Sequence, residues 1–278
     1  MALASKFSNP VAIRSTDEPL SEDKMRAVAP SIFADEAHET RSERYTHIPT
    51  IEVLRGLEKE GFRPFAVAQT RVRDEGRRAF TKHMIRLRHA NTIAAEEANE
   101  VVLLNSHDGS SSYQMLAGMF RFVCANGMVC GETIEDIRIR HSGRAVEDVI
   151  EGAYQVLDQF ELVENQRDGM KAVPLDEAEQ QVFADAALAL RYEPEDGKPA
   201  PIAARQLLRP RRIEDRPSDL WSTFNRVQEN VIRGGLPSST RTGRRTKTRE
   251  VKGIDQNVKL NRALWILAEG MRNLKTNG

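Results

Sequence analysis

Apolar positions in this chain recur at two periods, and the switches between them mark its elements. Ile51, Leu54 and Leu57 share one face of a short helix that Thr50 can cap and Gly61 can end. Residues 65–72 then read as a strand, 74–77 as its turn and 80–90 as the return strand. In the return strand His83, Ile85, Leu87 and His89 share one face, while Lys82, Met84, Arg86 and Arg88 share the other. Residues 100–106 form a third strand, whose unbroken apolar run from Val101 to Leu104 suits cover on both faces. Over 112–125, Tyr113, Leu116, Met119, Phe120 and Val123 recur at helical spacing. Ser110 or Ser111 stands ready to cap that segment and Asn126-Gly127 to stop it, so a helix is predicted there.

Residues 128–140 read as an extended pair, and everything beyond them is mainly helical. A stripe of Val149, Ile150, Tyr154, Leu157, Phe160 and Val163 predicts a long helix over 144–166. A second helix covers 174–192, and a third opens at Ser218, carries Trp221 and Phe224, and stops at Gly234-Gly235. The last covers 255–274. This order predicts an α+β fold: a small antiparallel sheet (hairpin plus third strand) packed by helices, with a mainly helical C-terminal half. Residues 1–43, with Pro10, Pro19, Pro30 and no sustained period, read as an extended or partly disordered arm that orders on assembly. An α+β core over 44–192 comes next, then a linker at 193–203 with three prolines and a glycine, then a helical region over 204–278 bearing a basic hairpin.

Composition changes this picture only through the distribution of charge. The 278 residues hold 41 basic and 41 acidic side chains, so no global field points to a polyanion. Locally, residues 132–200 carry 17 acidic against 7 basic groups, and residues 204–252 carry 13 basic against 5 acidic. Residues 71–88 add seven cations against Asp74 and Glu75. Cys124 and Cys130 have neither the number nor the spacing of a zinc site or a disulfide framework, and read as small core residues in a reducing compartment. The N-terminus lacks an apolar signal region, and no stretch approaches the roughly 18 apolar residues of a membrane span, so a cytoplasmic protein without membrane contact is expected.

The basic clusters carry the most chemistry. Arg241, Arg244, Arg245, Lys247 and Arg249 alternate with threonines around Gly243, and guanidinium forks with hydroxyls grip a phosphate backbone without reading bases. Arg77, Arg78, Lys82, Arg86 and Arg88 form a second strip, interrupted by Phe80, whose ring can stack on an unpaired base. An enzyme-like constellation also exists: His107 stands between Asn105, Asp108 and Ser110 to Ser112, where an imidazole can activate a hydroxyl. The simpler reading is that Asp108-Gly109 builds a turn and a serine caps the helix after it. No phosphate loop, G-x-G-x-x-G, G-x-S-x-G or H-E-x-x-H motif is present.

The segment running from Asn105-Ser-His-Asp-Gly-Ser-Ser into Phe120-Arg-Phe-Val-Cys-Ala-Asn-Gly-Met-Val129, with Ile48-Pro-Thr50 and Phe80-Thr-Lys-His83 upstream, resembles the phage/plasmid-like proteins grouped as domain of unknown function nine-three-two. The resemblance runs from about residue 44 to the C-terminus and brings no established activity. By fold analogy, a helix, a basic hairpin, a third strand and a packed helix are similar to the core of single-strand annealing recombinases. The expectation is therefore a non-enzymatic, homo-oligomeric binder of single-stranded nucleic acid from a mobile element, an annealing or recombination accessory factor. It needs no cofactor, metal or catalytic residue, and the two basic strips are its contacts. Two alternatives stand beside it: an anti-defence or protein-interaction module using the acidic face, and a hydrolase with its site at 105–112.

Overall fold

The computed structural model describes residues 12–39, 47, 49–72, 74–89, 97–111, 113–122, 126–130, 137–139, 145–192, 200–240 and 244–277. The protein is α+β, and it divides into two compact units, Met1–Gly127 with Glu135–Asp158 and Met128–Ile134 with Gln159–Gly278.

A curled sheet has strands β1 (Ala12–Arg14), β2 (Phe62–Gln69), β3 (His83–His89), β4 (Glu97–Asn105), β5 (Tyr113–Arg121) and β6 (Asn126–Val129), joined in that order, with β7 (Ile137–Ile139) pairing with β5, and all but Met128 and Val129 of it belong to the first unit. Helices α1 (Glu22–Val28), α2 (Thr50–Lys59) and α3 (Ala145–Asp158) accompany it. Antiparallel register sets His83 opposite Asn105 and Val102 opposite both Arg86 and Leu116. The expected helix α2 and the three expected strands are all present.

Around this sheet two segments differ from expectation. Residues 113–121 are strand β5, not a helix. Seven of its nine residues are buried, and the neighbouring β4 is buried at all but its first. A continuous apolar run fits a strand covered on both faces as well as it fits a helix, and pairing with β4 decides the matter. The serines accordingly close a hairpin instead of capping a helix. Ser111 N–H donates to Ser106 Oγ (2.8 Å), the Ser106 hydroxyl donates to the Ser111 carbonyl (3.2 Å), and Ser110 N–H donates to Asp108 Oδ1 (2.9 Å). Gly109 sits at φ 76°, the left-handed region the turn requires. The N-terminal arm also contributes structure: β1 pairs with β2, and Met25, Val28, Ile32 and Phe33 are buried. Too few apolar positions lie in so short a segment for a period to show.

The second unit contains α4 (Phe160–Lys171), α5 (Glu177–Arg191), α6 (Leu220–Arg233), the two-stranded ribbon β8 (Pro237–Ser239) and β9 (Arg245–Lys247), and α7 (Ile254–Asn277). The helix expected over 144–166 is thus two, α3 and α4, separated at Gln159. Helix α5 starts with a capping box in which Asp176 and Glu179 satisfy each other's backbone N–H groups. Helix α6 is buried at every position from Leu220 to Ile232. Its Trp221 and Phe224 stack with ring centroids 5.4 Å apart, and both meet Trp265 of α7 edge-on.

Candidate functional site

The expected strip on the β2–β3 connection divides. Asp74 caps a tight turn over Glu75–Phe80 by accepting from Gly76 N–H, and this turn leaves Arg77 exposed. Arg78 lies 3.9 Å from Glu75, Phe80 meets His38 edge-on at 5.2 Å, and Lys82 is half-buried. Arg86 and Arg88, expected on the same outward face, are 1% and 0% exposed. Arg86 Nε lies 2.5 Å from Glu100 Oε2 and Arg88 Nε 3.0 Å from Glu100 Oε1, on the neighbouring strand. Both faces of β3 are covered, so alternation along it does not separate inside from outside. The Arg88 guanidinium lies 4.1 Å from the Phe65 ring and 4.2 Å from Phe120, contacts that help a buried cation. Burial alone would raise the Glu100 carboxyl; the charges of Arg86, Arg14 and Arg88 reverse this and hold it below its ordinary value. Gly127 makes room for the group, since a Cβ there would come within 2.8 Å of Arg86 Cζ.

The second cluster behaves differently. Ribbon β8–β9 pairs Ser239 with Arg245 and Pro237 with Lys247. Arg244, Arg245, Lys247 and Arg249 are all exposed, and none makes an ion pair among the described residues. Arg245 and Lys247 share a face because strand side chains alternate. Arg241 lies outside the described residues.

A third constellation brings together motifs that lie far apart in the sequence. Thr50, the first residue of α2, places its hydroxyl 3.0 Å from His83 Nε2 (β3), 2.9 Å from Asn105 Nδ2 (β4), 3.2 Å from His107 Nε2 and 3.3 Å from the Tyr113 hydroxyl (β5). All five side chains are fully buried. His83 Nδ1 faces the Thr81 carbonyl at 3.2 Å, which fixes the proton on Nδ1 and leaves Nε2 to accept from Thr50. Thr50 Oγ then accepts from Asn105 and from one of the two remaining donors. Burial lowers the His83 pKa to about 4, against the opposing pull of the Thr81 carbonyl and the Asp108 charge. Burial alone would raise Asp108, but hydrogen bonds from Ser110 and Ser106 and the Arg77 charge hold it low.

Chemically this is a knot of buried polar groups joining one helix to three strands. The imidazole expected to activate a serine has its Nε2 on Thr50, and Asp108 caps its own turn. The signal for the knot was present in the sequence as His83 on the strand face it shares with Ile85, Leu87 and His89. Among the described residues no three His, Cys, Asp or Glu side chains are placed to share a metal, and no helix is long and apolar enough to cross a membrane.

Residues 37–265 match the family described as Domain of unknown function (DUF932). Two proteins of Escherichia coli (strain K12) are similar over nearly the whole chain. UPF0380 protein YafZ is 52% identical over 269 residues, 97% of each chain, and UPF0380 protein YfjQ is 53% identical over 267 residues, 96% of each. No solved structure matches.

Proposed function

The chain belongs to the DUF932 family, and for this member we propose binding of single-stranded nucleic acid through its phosphate backbone, with the β8–β9 ribbon as the contact. The observation that carries this is a contrast in how cations are used. Arg86 and Arg88 hold Glu100, and Arg212 clamps Glu229 through two bonds of 2.8 Å while also reaching Asp215. The four cations of the ribbon, by comparison, stand exposed with no carboxylate partner among the described residues. Cations that pair with no carboxylate among the described residues and sit beside threonine hydroxyls suit an anionic backbone. Of the other strip, Arg77, Arg78 and Lys82 stay with this proposal as secondary contacts. In its finest form the proposal is a strand-annealing accessory factor that neutralises phosphates and leaves base edges free to pair.

Fluorescence anisotropy with a single-stranded oligonucleotide across a salt series tests it. Four engaged cations give a slope of log affinity against log salt of roughly −3, at about −0.7 per phosphate neutralised. Arg244→Ala with Arg245→Ala makes the slope shallower by about one to one and a half units and weakens all sequences alike. A flat salt response, or an unchanged slope in the double variant, removes the ribbon as the contact and favours the acidic helices as its partner.

A further inference from the structure

Beside the ribbon, the second unit carries a groove of about 580 Å³, with Pro201, Ile202 and Gln206 on one wall and strand β8 on the other. The walls are tied to each other: the Ser238 hydroxyl donates to the Pro201 carbonyl at 2.7 Å, and Gln206 Nε2 donates to the Pro237 carbonyl at 2.8 Å. Gln206 Oε1 in turn accepts from Ala203 N–H at 2.9 Å. The lining is polar and apolar in about equal measure: Gln206 and Ser238 stand beside the exposed rings of Pro201 and Pro237, and Ile202 is buried. Cations flank both walls. Arg205 is exposed within the first, and β9 pairs with the second, setting Arg245 opposite Ser239 and Lys247 opposite Pro237.

We propose that this groove holds an unpaired nucleobase, with the flanking phosphates on Arg205, Arg245 and Lys247, so that it is the element that selects single strands over duplexes. The proposal rests on the nucleic-acid reading above and adds a base-contacting subsite to it. The volume falls in the range of small-ligand sites, and the exposed rings of Pro201 and Pro237 offer apolar surface to a base face. In a duplex that face is stacked and out of reach, whereas a single strand presents both a free base and its phosphates. Proline rings beside polar groups and flanking cations complement this combination, whereas a bare polyanion leaves the rings uncovered and an apolar peptide leaves the cations unpaired.

The test compares an oligothymidylate, an abasic deoxyribose-phosphate strand of the same length, a duplex of the same length and a polyglutamate of matched charge. Each is titrated with the natural protein and with Ala203→Gln, which adds a neutral side chain at an exposed groove position and keeps the Ala203 N–H. The natural protein binds the oligothymidylate about tenfold tighter than the abasic strand, the order expected for covering one base. Ala203→Gln removes that advantage and leaves affinity for the abasic strand unchanged. Equal affinity for thymidylate and abasic strands overturns the groove while leaving the ribbon in place. Polyglutamate or duplex binding as tight as thymidylate also overturns it. Failure of every nucleic acid to bind overturns the ribbon reading and the groove with it.

Discussion

Thr50 shows how much one hydroxyl can organise. Its oxygen serves four polar groups, from three strands and the turn that joins two of them, and each of those groups is buried. Removing the hydroxyl therefore leaves several donors and acceptors without water or protein to satisfy them. A buried polar group left unpaired costs about 1–3 kcal/mol. Thr50→Val, nearly isosteric, is expected to destabilise by about 3 kcal/mol in urea unfolding, while Thr50→Ser keeps the hydroxyl and costs about 1 kcal/mol through the lost methyl. Equal losses in the two variants would show that the methyl packs and the hydroxyl does little. At this scale the sequence is half legible. His83 stands visibly on a strand face beside Ile85 and Leu87, and the motifs around Thr50, His83 and Asn105 are each recognisable. Their convergence on one oxygen depends on contacts 33 to 63 residues apart, which no local spacing encodes. The burial of Arg86 and Arg88 is hidden for a related reason, since their partner Glu100 lies on another strand and the curl that buries both faces is a property of the whole sheet.

At the scale of elements, amphipathic helices and polar-bounded strands are legible because their period is written into one stretch of chain. Helices α2, α5, α6 and α7 and strands β2 to β4 lie close to where their patterns place them. Strand β5 is not legible in this way. Tyr113, Leu116, Met119 and Phe120 satisfy a helical period, and the same residues satisfy a strand buried on both sides. The hairpin turn with Asp108-Gly109, evident in sequence, is the better guide, because a tight turn after one strand most simply returns as another. The register gives a direct test. With Cys124 and Cys130 replaced by alanine, Val101→Cys with Ala117→Cys, directly opposite across β4 and β5, is expected to oxidise to a disulfide within the folded protein. Val101→Cys with Met119→Cys, one alternate position further, is expected to stay reduced. Crosslinking of the second pair in preference to the first would rule out this register.

Over the whole molecule, two cores answer to different signals, and acid separates them. Both tryptophans, Trp221 and Trp265, belong to the helical unit, so their emission reports that core alone. His83 belongs to the sheet unit, where burial holds its folded pKa near 4 against an ordinary value of 6.5. Above pH 6.5 the ring is neutral in folded and unfolded chains alike, and the full stability is present. As the pH falls from 6.5 towards 4, the unfolded chain takes up a proton that the folded one refuses, and stability is lost continuously, by about 3 kcal/mol across the window. Glu100 adds to the loss only below its ordinary value of 4.5, because its folded pKa is lower still. In moderate urea, strand signal in far-ultraviolet circular dichroism is therefore expected to fall between pH 6.5 and 4.5 before tryptophan emission changes. His83→Gln starts from lower stability but loses the pH dependence in that window. Coincident transitions by the two probes would mean that the units unfold as one cooperative body. A His83→Gln variant with the natural slope would transfer the titration to another group. The sheet unit thus carries an acid sensitivity set by the same buried knot that fixes α2, while the basic ribbon and its groove belong to the second unit.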